Sequence, residues 1–138
     1  MIPFPMDAIA KPIIALVDDD PRIRESLESL IESAGFAAQV FSHAQDFLRA
    51  SSIAATSCLI TDVRMPGMDG LELQRRVRLV RPELPIIFIT GHHDDDVEQR
   101  AIAEGATFFI RKPFDAGELL RATRLALDKS SGDNKKNS

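Results

Sequence analysis

The stretch that decides the fold runs Cys58-Leu59-Ile60-Thr61-Asp62-Val63-Arg64-Met65-Pro66-Gly67-Met68-Asp69-Gly70 and continues through Leu71 to Val80. It opens on a short continuous apolar run that closes on a carboxylate. A segment holding Pro66 and Gly67 follows, and then Asp69 and Glu72 stand at capping-box spacing. Leu73, Val77 and Val80 next recur at helical spacing before Pro82 stops them. The stretch therefore reads as strand, loop, helix.

The same unit recurs on either side. Ile13–Val17, Ile86–Ile89 and Phe108–Ile110 are further apolar runs. They are continuous rather than alternating, as parallel strands covered on both faces require. Gln39-Val40-Phe41 is more polar and reads as an edge strand. Helical patterns follow the runs. Ile23, Leu27, Leu30, Ile31 and Ala34 form one, with Asp20-Pro21 as N-cap and first-turn proline and Gly35 as its stop. Asp115 and Glu118 mark the start of the last. Five strand–helix units predict a single α/β domain with a parallel sheet and right-handed crossovers.

Length and composition agree with one domain. The chain has 138 residues, 44% hydrophobic and 28% charged, and a formal charge of -4. The acidic excess argues against a polyanion-binding surface. One cysteine excludes an internal disulfide framework and fits a reducing, cytoplasmic compartment. No apolar run is long enough to span a bilayer. Residues 1–10 read as an N-terminal extension without a basic signal region, 11–128 as the domain, and 129–138 as a disordered polar tail. The tail carries Lys129, Lys135 and Lys136 against Asp133, so 1–128 holds a formal -6.

Parallel sheets bind ligands at the carboxyl ends of their strands. Asp18 and Asp19 follow the first strand, Asp62 ends the third, Thr90 ends the fourth and Lys112 lies just past the fifth. Three gathered carboxylates repel one another unless cations compensate. Lys112 supplies one positive charge, and a hard divalent cation such as Mg²⁺ supplies more. Such a cation with a lysine and a hydroxyl suits the oxygens of a phosphoryl group. The remaining carboxylate can act as nucleophile and form an acyl phosphate. Asp62, alone at the tip of a buried strand, is the better nucleophile, and Asp18 with Asp19 the better metal clamp.

With these residues in place, the chain resembles the receiver domain of two-component response regulators, especially the FixJ-type subgroup. Leu59–Gly70 resembles the phosphoacceptor segment, Val17-Asp18-Asp19 the acidic metal pair, and Arg111-Lys112-Pro113-Phe114 the Lys-Pro turn. The resemblance covers about residues 11–128. It implies a doubly wound, flavodoxin-like (βα)5 fold with strand order 2-1-3-4-5. It also implies phosphorylation of Asp62 by a partner phosphohistidine with Mg²⁺. Asp19 and Asp62 would bind the metal directly, Asp18 through water, and the backbone carbonyl of Arg64 would complete the set. Thr90 and Lys112 would contact phosphate oxygens, Gly91 would leave them room, and Phe109 falls on the switch aromatic. The Lys112–Pro113 bond would be cis. Lacking a hydroxyl, Phe109 would switch by packing alone. Arg64 and His92 occupy positions that tune phosphoryl lifetime in the family.

The implied partners are a histidine kinase or histidine phosphotransfer protein, and a downstream protein reading the fourth helix, fifth strand and fifth helix. A phosphorylation-dependent homodimer stays open. No direct nucleic-acid or membrane contact is expected. No helix-turn-helix follows residue 128, so the chain reads either as a stand-alone receiver or as the receiver of a longer DNA-binding regulator. Two other readings compete: an aspartyl-phosphate phosphatase acting on external small molecules, and a docking module that is never phosphorylated. Among the remaining polar groups, Asp20 reads as a helix cap. His92-His93-Asp94-Asp95-Asp96 reads as a loop and an acidic first helical turn rather than a metal site. Cys58 reads as an inert core thiol. Arg75, Arg76, Arg78 and Arg81 read as the solvated face of their helix.

Overall fold

The computed structural model describes residues 11–49, 53–91 and 94–136, with 130–136 given by backbone alone. Strands and helices alternate throughout. They are β1 (Ile13–Val17), α1 (Pro21–Ser33), β2 (Ala37–Phe41), α2 (Ala44–Arg49), β3 (Cys58–Asp62), α3 (Gly70–Val80), β4 (Ile86–Thr90), α4 (Asp95–Ala103), β5 (Phe108–Arg111) and α5 (Ala116–Lys136). The strands form one sheet in the order β2-β1-β3-β4-β5, and every pairing is parallel. This is the doubly wound (βα)5 arrangement expected from the sequence.

The apolar runs are continuous because the sheet is covered on both faces. Ala15, Val17, Leu59 and Phe88 face a core completed by Phe47 of α2, Leu73 and Val77 of α3 and Ala101 of α4. Their neighbours Ile14, Leu16, Ile60, Ile87 and Ile89 face Leu27 and Ile31 of α1 and Leu119 and Ala126 of α5. Alternate residues of each strand thus serve opposite cores. β3 and β4 are buried at every position, whereas β2 is only half-buried, as an edge strand should be.

The helix starts follow the capping residues. Asp20 accepts from the amide of Arg22, Asp69 from Glu72 at 2.9 Å, and Asp115 from Glu118 at 3.2 Å. Cys58 is fully buried, and burial pushes its thiol up to about 12. The thiolate is the reactive form, so at pH 8 the native protein should resist maleimide labelling and the urea-unfolded chain should label promptly. Fast labelling without denaturant would show that β3 opens.

The structure departs from the sequence reading at two places. Arg78 and Arg81 are half-buried rather than fully solvated. Arg78 donates to the carbonyls of Leu84 and Gly105, both at 2.8 Å, and Arg81 donates to those of Ile53 and Thr56, at 2.9 and 2.6 Å. A guanidinium carries five donors on an apolar stem, so it can lie along a surface and still satisfy loop carbonyls. Arg75 and Arg76 stay exposed and pair with Glu104 and Glu72. The second departure is α5, whose backbone continues helical to Lys136 through most of the segment read as a disordered tail. Extending a formed helix adds one hydrogen bond per residue and avoids the nucleation cost. The N-terminal extension, His92 and His93 lie outside the described residues.

Candidate functional site

The parallel register brings the strand ends together. β1 lies beside β3, β3 beside β4 and β4 beside β5. Asp62 stands opposite Ile89, and Thr90 opposite Arg111. Residues just past these ends must therefore meet on one rim. The amide of Lys112 extends the last ladder by donating to the carbonyl of Thr90 at 2.8 Å.

Asp18, Asp19 and Asp62 each offer a carboxylate oxygen, and these oxygens all lie within 4.8 Å of one another. No other such cluster of His, Cys, Asp and Glu occurs among the described residues. Asp18 and Asp62 are buried and Asp19 is exposed. The ammonium of Lys112 bridges the buried pair, 3.2 Å from Oδ2 of Asp18 and 3.0 Å from Oδ2 of Asp62. The loop after β3 holds the other oxygen of Asp62: Oδ1 accepts from the amides of Val63 at 2.7 Å and Arg64 at 3.3 Å. Asp18 is fixed in a similar way, its Oδ1 accepting from the amide of Asp20 at 2.9 Å.

Burial raises the pKa of Asp18, and neighbouring Asp62 adds to the rise. The Asp20 amide and Lys112 act against it. Burial alone would lower the pKa of Lys112. The hydrogen bond and charge of Asp62, with the charge of Asp18, outweigh burial and raise it. The lysine is thus held protonated by the acids it bridges.

Three carboxylates against one ammonium leave two formal negative charges on the rim. All the side-chain donors of the cluster are hard oxygens, and the exposed Asp19 leaves the set open to solvent. That composition fits Mg²⁺, which prefers carboxylate oxygen and keeps several waters. Thr90 is buried at the end of β4. Among the described residues, a side chain at Gly91 would meet only Cδ of Lys112, at 3.9 Å. The described residues therefore leave space beside the lysine. Phe109 is half-buried on β5, its ring 6.0 Å from that of Phe88 and tilted by 38°. The Lys112–Pro113 bond is cis.

Sequence reasoning did not single out two features of this rim. One is Gly70, where a Cβ would overlap the backbone carbonyl oxygen of Asp62. Its signal was the Asp69-Gly70 pair at the start of α3. The other is a contact rather than a residue: Arg64, which the resemblance marks as a backbone metal ligand and a position that tunes phosphoryl lifetime, places its Nη2 3.8 Å from Oδ2 of Asp94. No local pattern marks that contact.

Comparison with known proteins agrees with this geometry. Residues 14–124 match the response regulator receiver domain. The response regulator protein TodT of Pseudomonas putida is 45% identical over 115 residues, covering 83% of this chain and 51% of that protein. The transcriptional regulatory protein FixJ of Bradyrhizobium diazoefficiens is 42% identical over 106 residues, covering 77% and 52%. This chain thus spans about half the length of these curated relatives. The crystal structure of a response regulator receiver domain protein from Clostridium thermocellum superposes with a TM-score of 0.83 at 29% identity, covering 87% of this chain and 97% of that one. A matching model over most of the chain, together with the acidic rim and the parallel sheet that builds it, places the chain in the response regulator receiver domain family of two-component signal transduction.

Proposed function

We propose that the chain receives a phosphoryl group on Asp62 from a partner phosphohistidine and passes the signal on by changing conformation. The observation that carries this reading is the Lys112 bridge: one ammonium spans two buried carboxylates from different strands, 3.0 and 3.2 Å away. In the proposed step a carboxylate oxygen of Asp62 attacks phosphorus. An O–P bond forms, the N–P bond breaks, and the imidazole leaves with its electron pair. Asp18, Asp19, Asp62 and the backbone carbonyl of Arg64 would hold Mg²⁺, Asp18 through water. The bound cation supplies charge for the phosphoryl oxygens. Lys112 and Thr90 contact those oxygens from the β5 and β4 side, and the absence of a side chain at Gly91 leaves them room.

The added charge draws Thr90 and Lys112 toward the phosphoryl group and biases Phe109 between two packings. It can shift that equilibrium only by its differential interaction with the two states. The readout surface is α4, β5 and α5, facing a protein partner. The donor is a histidine kinase or histidine phosphotransfer protein in the cytoplasm. The chemistry stays on Asp62 itself rather than turning over a separate substrate. Relatives bear the name transcriptional regulatory protein, and we read this chain as the receiver portion of such a regulator or as a receiver acting alone.

The test is binding of beryllofluoride, a phosphoryl mimic, with Mg²⁺. A ligand that binds only the folded state at about a hundred times its dissociation constant stabilises by about 2.7 kcal/mol. The thermal midpoint should then rise by several degrees, and only when Mg²⁺ and beryllofluoride are both present. An unmoved midpoint would favour a docking module that is never phosphorylated.

A further inference from the structure

Arg64 stands two residues beyond Asp62 and reaches toward α4. Its Nη2 lies 3.8 Å from Oδ2 of Asp94. Asp94 is the N-cap of α4, and its Oδ1 accepts from the amides of Asp96 at 3.0 Å and Val97 at 3.2 Å. The two oxygens of this carboxylate therefore divide their work. One holds the start of the helix, and the other faces a cation from the loop after β3. The backbone amide of the same arginine donates to Asp62 at 3.3 Å. One residue thus touches both the proposed phosphoacceptor and the cap of α4.

The start of α4 is crowded with acids. Asp95, Asp96 and Glu98 follow Asp94 in its first turn. Arg111 of β5 pairs with Asp95 at 3.1 Å and Glu98 at 2.8 Å. Arg64 supplies positive charge on the Asp94 side. Its contact is loose, since 3.8 Å is too long for a hydrogen bond and both side chains are substantially exposed, 56% and 40%. Such pairs are weak. A phosphoryl group on Asp62 would offer the guanidinium more negative charge and strong acceptor oxygens, which a planar fork can take two at a time.

We infer that Arg64 is a shared cation: it rests on Asp94 while Asp62 is unmodified and moves to the phosphoryl oxygens when Asp62 is phosphorylated. The cap of α4 then loses its counter-charge at the moment the rim gains a phosphoryl group. This rests on the assignment of Asp62 as phosphoacceptor. Arg64 acts on the phosphoryl group by contact and on α4 through Asp94. Coupling of this kind is reciprocal, so the hold of Asp94 on Arg64 opposes phosphoryl binding by the same factor.

A double-mutant cycle tests it, with beryllofluoride and Mg²⁺ as the probe and calorimetric dissociation constants as the readout. The four chains are wild type, Asp94→Asn, Arg64→Gln and the double variant. Asparagine is as good an N-cap as aspartate, so Asp94→Asn removes the charge and keeps the helix start. Asp94→Asn should bind beryllofluoride about two- to five-fold tighter than wild type, the scale of an exposed ion pair. In the Arg64→Gln background the same change should do nothing. Equal tightening in both backgrounds would overturn the inference, because the effect would then be loss of a nearby charge and not release of Arg64. No tightening in the wild-type background would overturn it too. A wild-type chain that binds no beryllofluoride would remove the phosphoacceptor reading itself, and the shared cation with it. Wild-type binding with a flat cycle would remove the shared cation alone.

Discussion

Incubated with Mg²⁺ and acetyl phosphate, the wild-type chain is expected to gain one phosphoryl group, and the Asp62→Asn chain none. The loss should be complete rather than partial. An amide cannot form the acyl phosphate, and no neighbour replaces the lost oxygen in position. Asp62 is held from both sides, by the amides of Val63 and Arg64 on Oδ1 and by Lys112 on Oδ2. Asp18, the other buried carboxylate of the cluster, follows β1 and is fixed to its own loop by the Asp20 amide at 2.9 Å, so it does not take the place of the lost oxygen at the end of β3. Intact-mass spectrometry reads the outcome directly, and hydroxylamine should strip the group, as expected of an acyl phosphate. Undiminished labelling of Asp62→Asn would place the phosphoryl group elsewhere and sink the assignment.

The same variant carries its own control for folding. Asparagine keeps a carbonyl oxygen for the Val63 and Arg64 amides, and Lys112 keeps Asp18 at 3.2 Å. Removing one of three crowded carboxylates also relieves repulsion that adds to the raised pKa of Asp18. The thermal midpoint of Asp62→Asn should therefore stay close to wild type. Lost labelling with a kept midpoint separates chemistry from unfolding.

What could be read from the sequence follows from what depends on local pattern. β3 and β4 were legible because burial on both faces demands unbroken apolar runs, and the polar Gln39 betrayed the edge position of β2. Asp18, Asp62 and Lys112 were legible together because a parallel sheet sends every strand's carboxyl end to the same rim. The reach of Arg78 and Arg81 onto loop carbonyls was not, since helical spacing says which face a residue is on but not where a long side chain ends. The pairing of Arg64 with Asp94 joins two loops thirty residues apart, and nothing local encodes it. The backbone of α5 beyond residue 128 misled for another reason. Its polar composition removes any core-facing stripe, yet propagation from the packed turns before it needs none.

Gly70→Ala is expected to be the most damaging glycine-to-alanine change among the described residues, although helix propensity alone predicts the opposite sign. Alanine in place of glycine within a helix ordinarily gains about 0.8–1.0 kcal/mol. At Gly70 the added Cβ would overlap the carbonyl oxygen of Asp62 and stand 3.0 Å from both Cα of Val63 and Cε1 of Phe88. Two of these neighbours are backbone, so no flexible side chain can swing aside. The amide of Gly70 is also tied to the carbonyl of Val63 at 2.7 Å, and the carbonyl of Asp62 accepts from Thr61 Oγ1 at 3.0 Å. Either the end of β3 or the start of α3 must move. Overpacking of this kind costs about 1–3 kcal/mol, and with backbone as the obstacle we expect the upper end. At a few degrees per kcal/mol for a domain of this size, that is a fall in thermal midpoint of roughly 10 °C. Phosphorylation should suffer separately, because the displaced carbonyl belongs to Asp62, the proposed phosphoacceptor. A misplacement of about 1 Å at a reacting group can cost about 100-fold in rate. Gly67→Ala supplies the contrast. Among the described residues nothing lies within 4 Å of a Cβ there, but its φ of +78° is one that alanine resists, a penalty of about 1–2 kcal/mol. It should lower the midpoint moderately and slow labelling little. If Gly70→Ala instead matches or exceeds the wild-type midpoint and labels at the wild-type rate, the contact between α3 and the end of β3 does not position Asp62, and the rim owes its geometry to the Lys112 bridge alone.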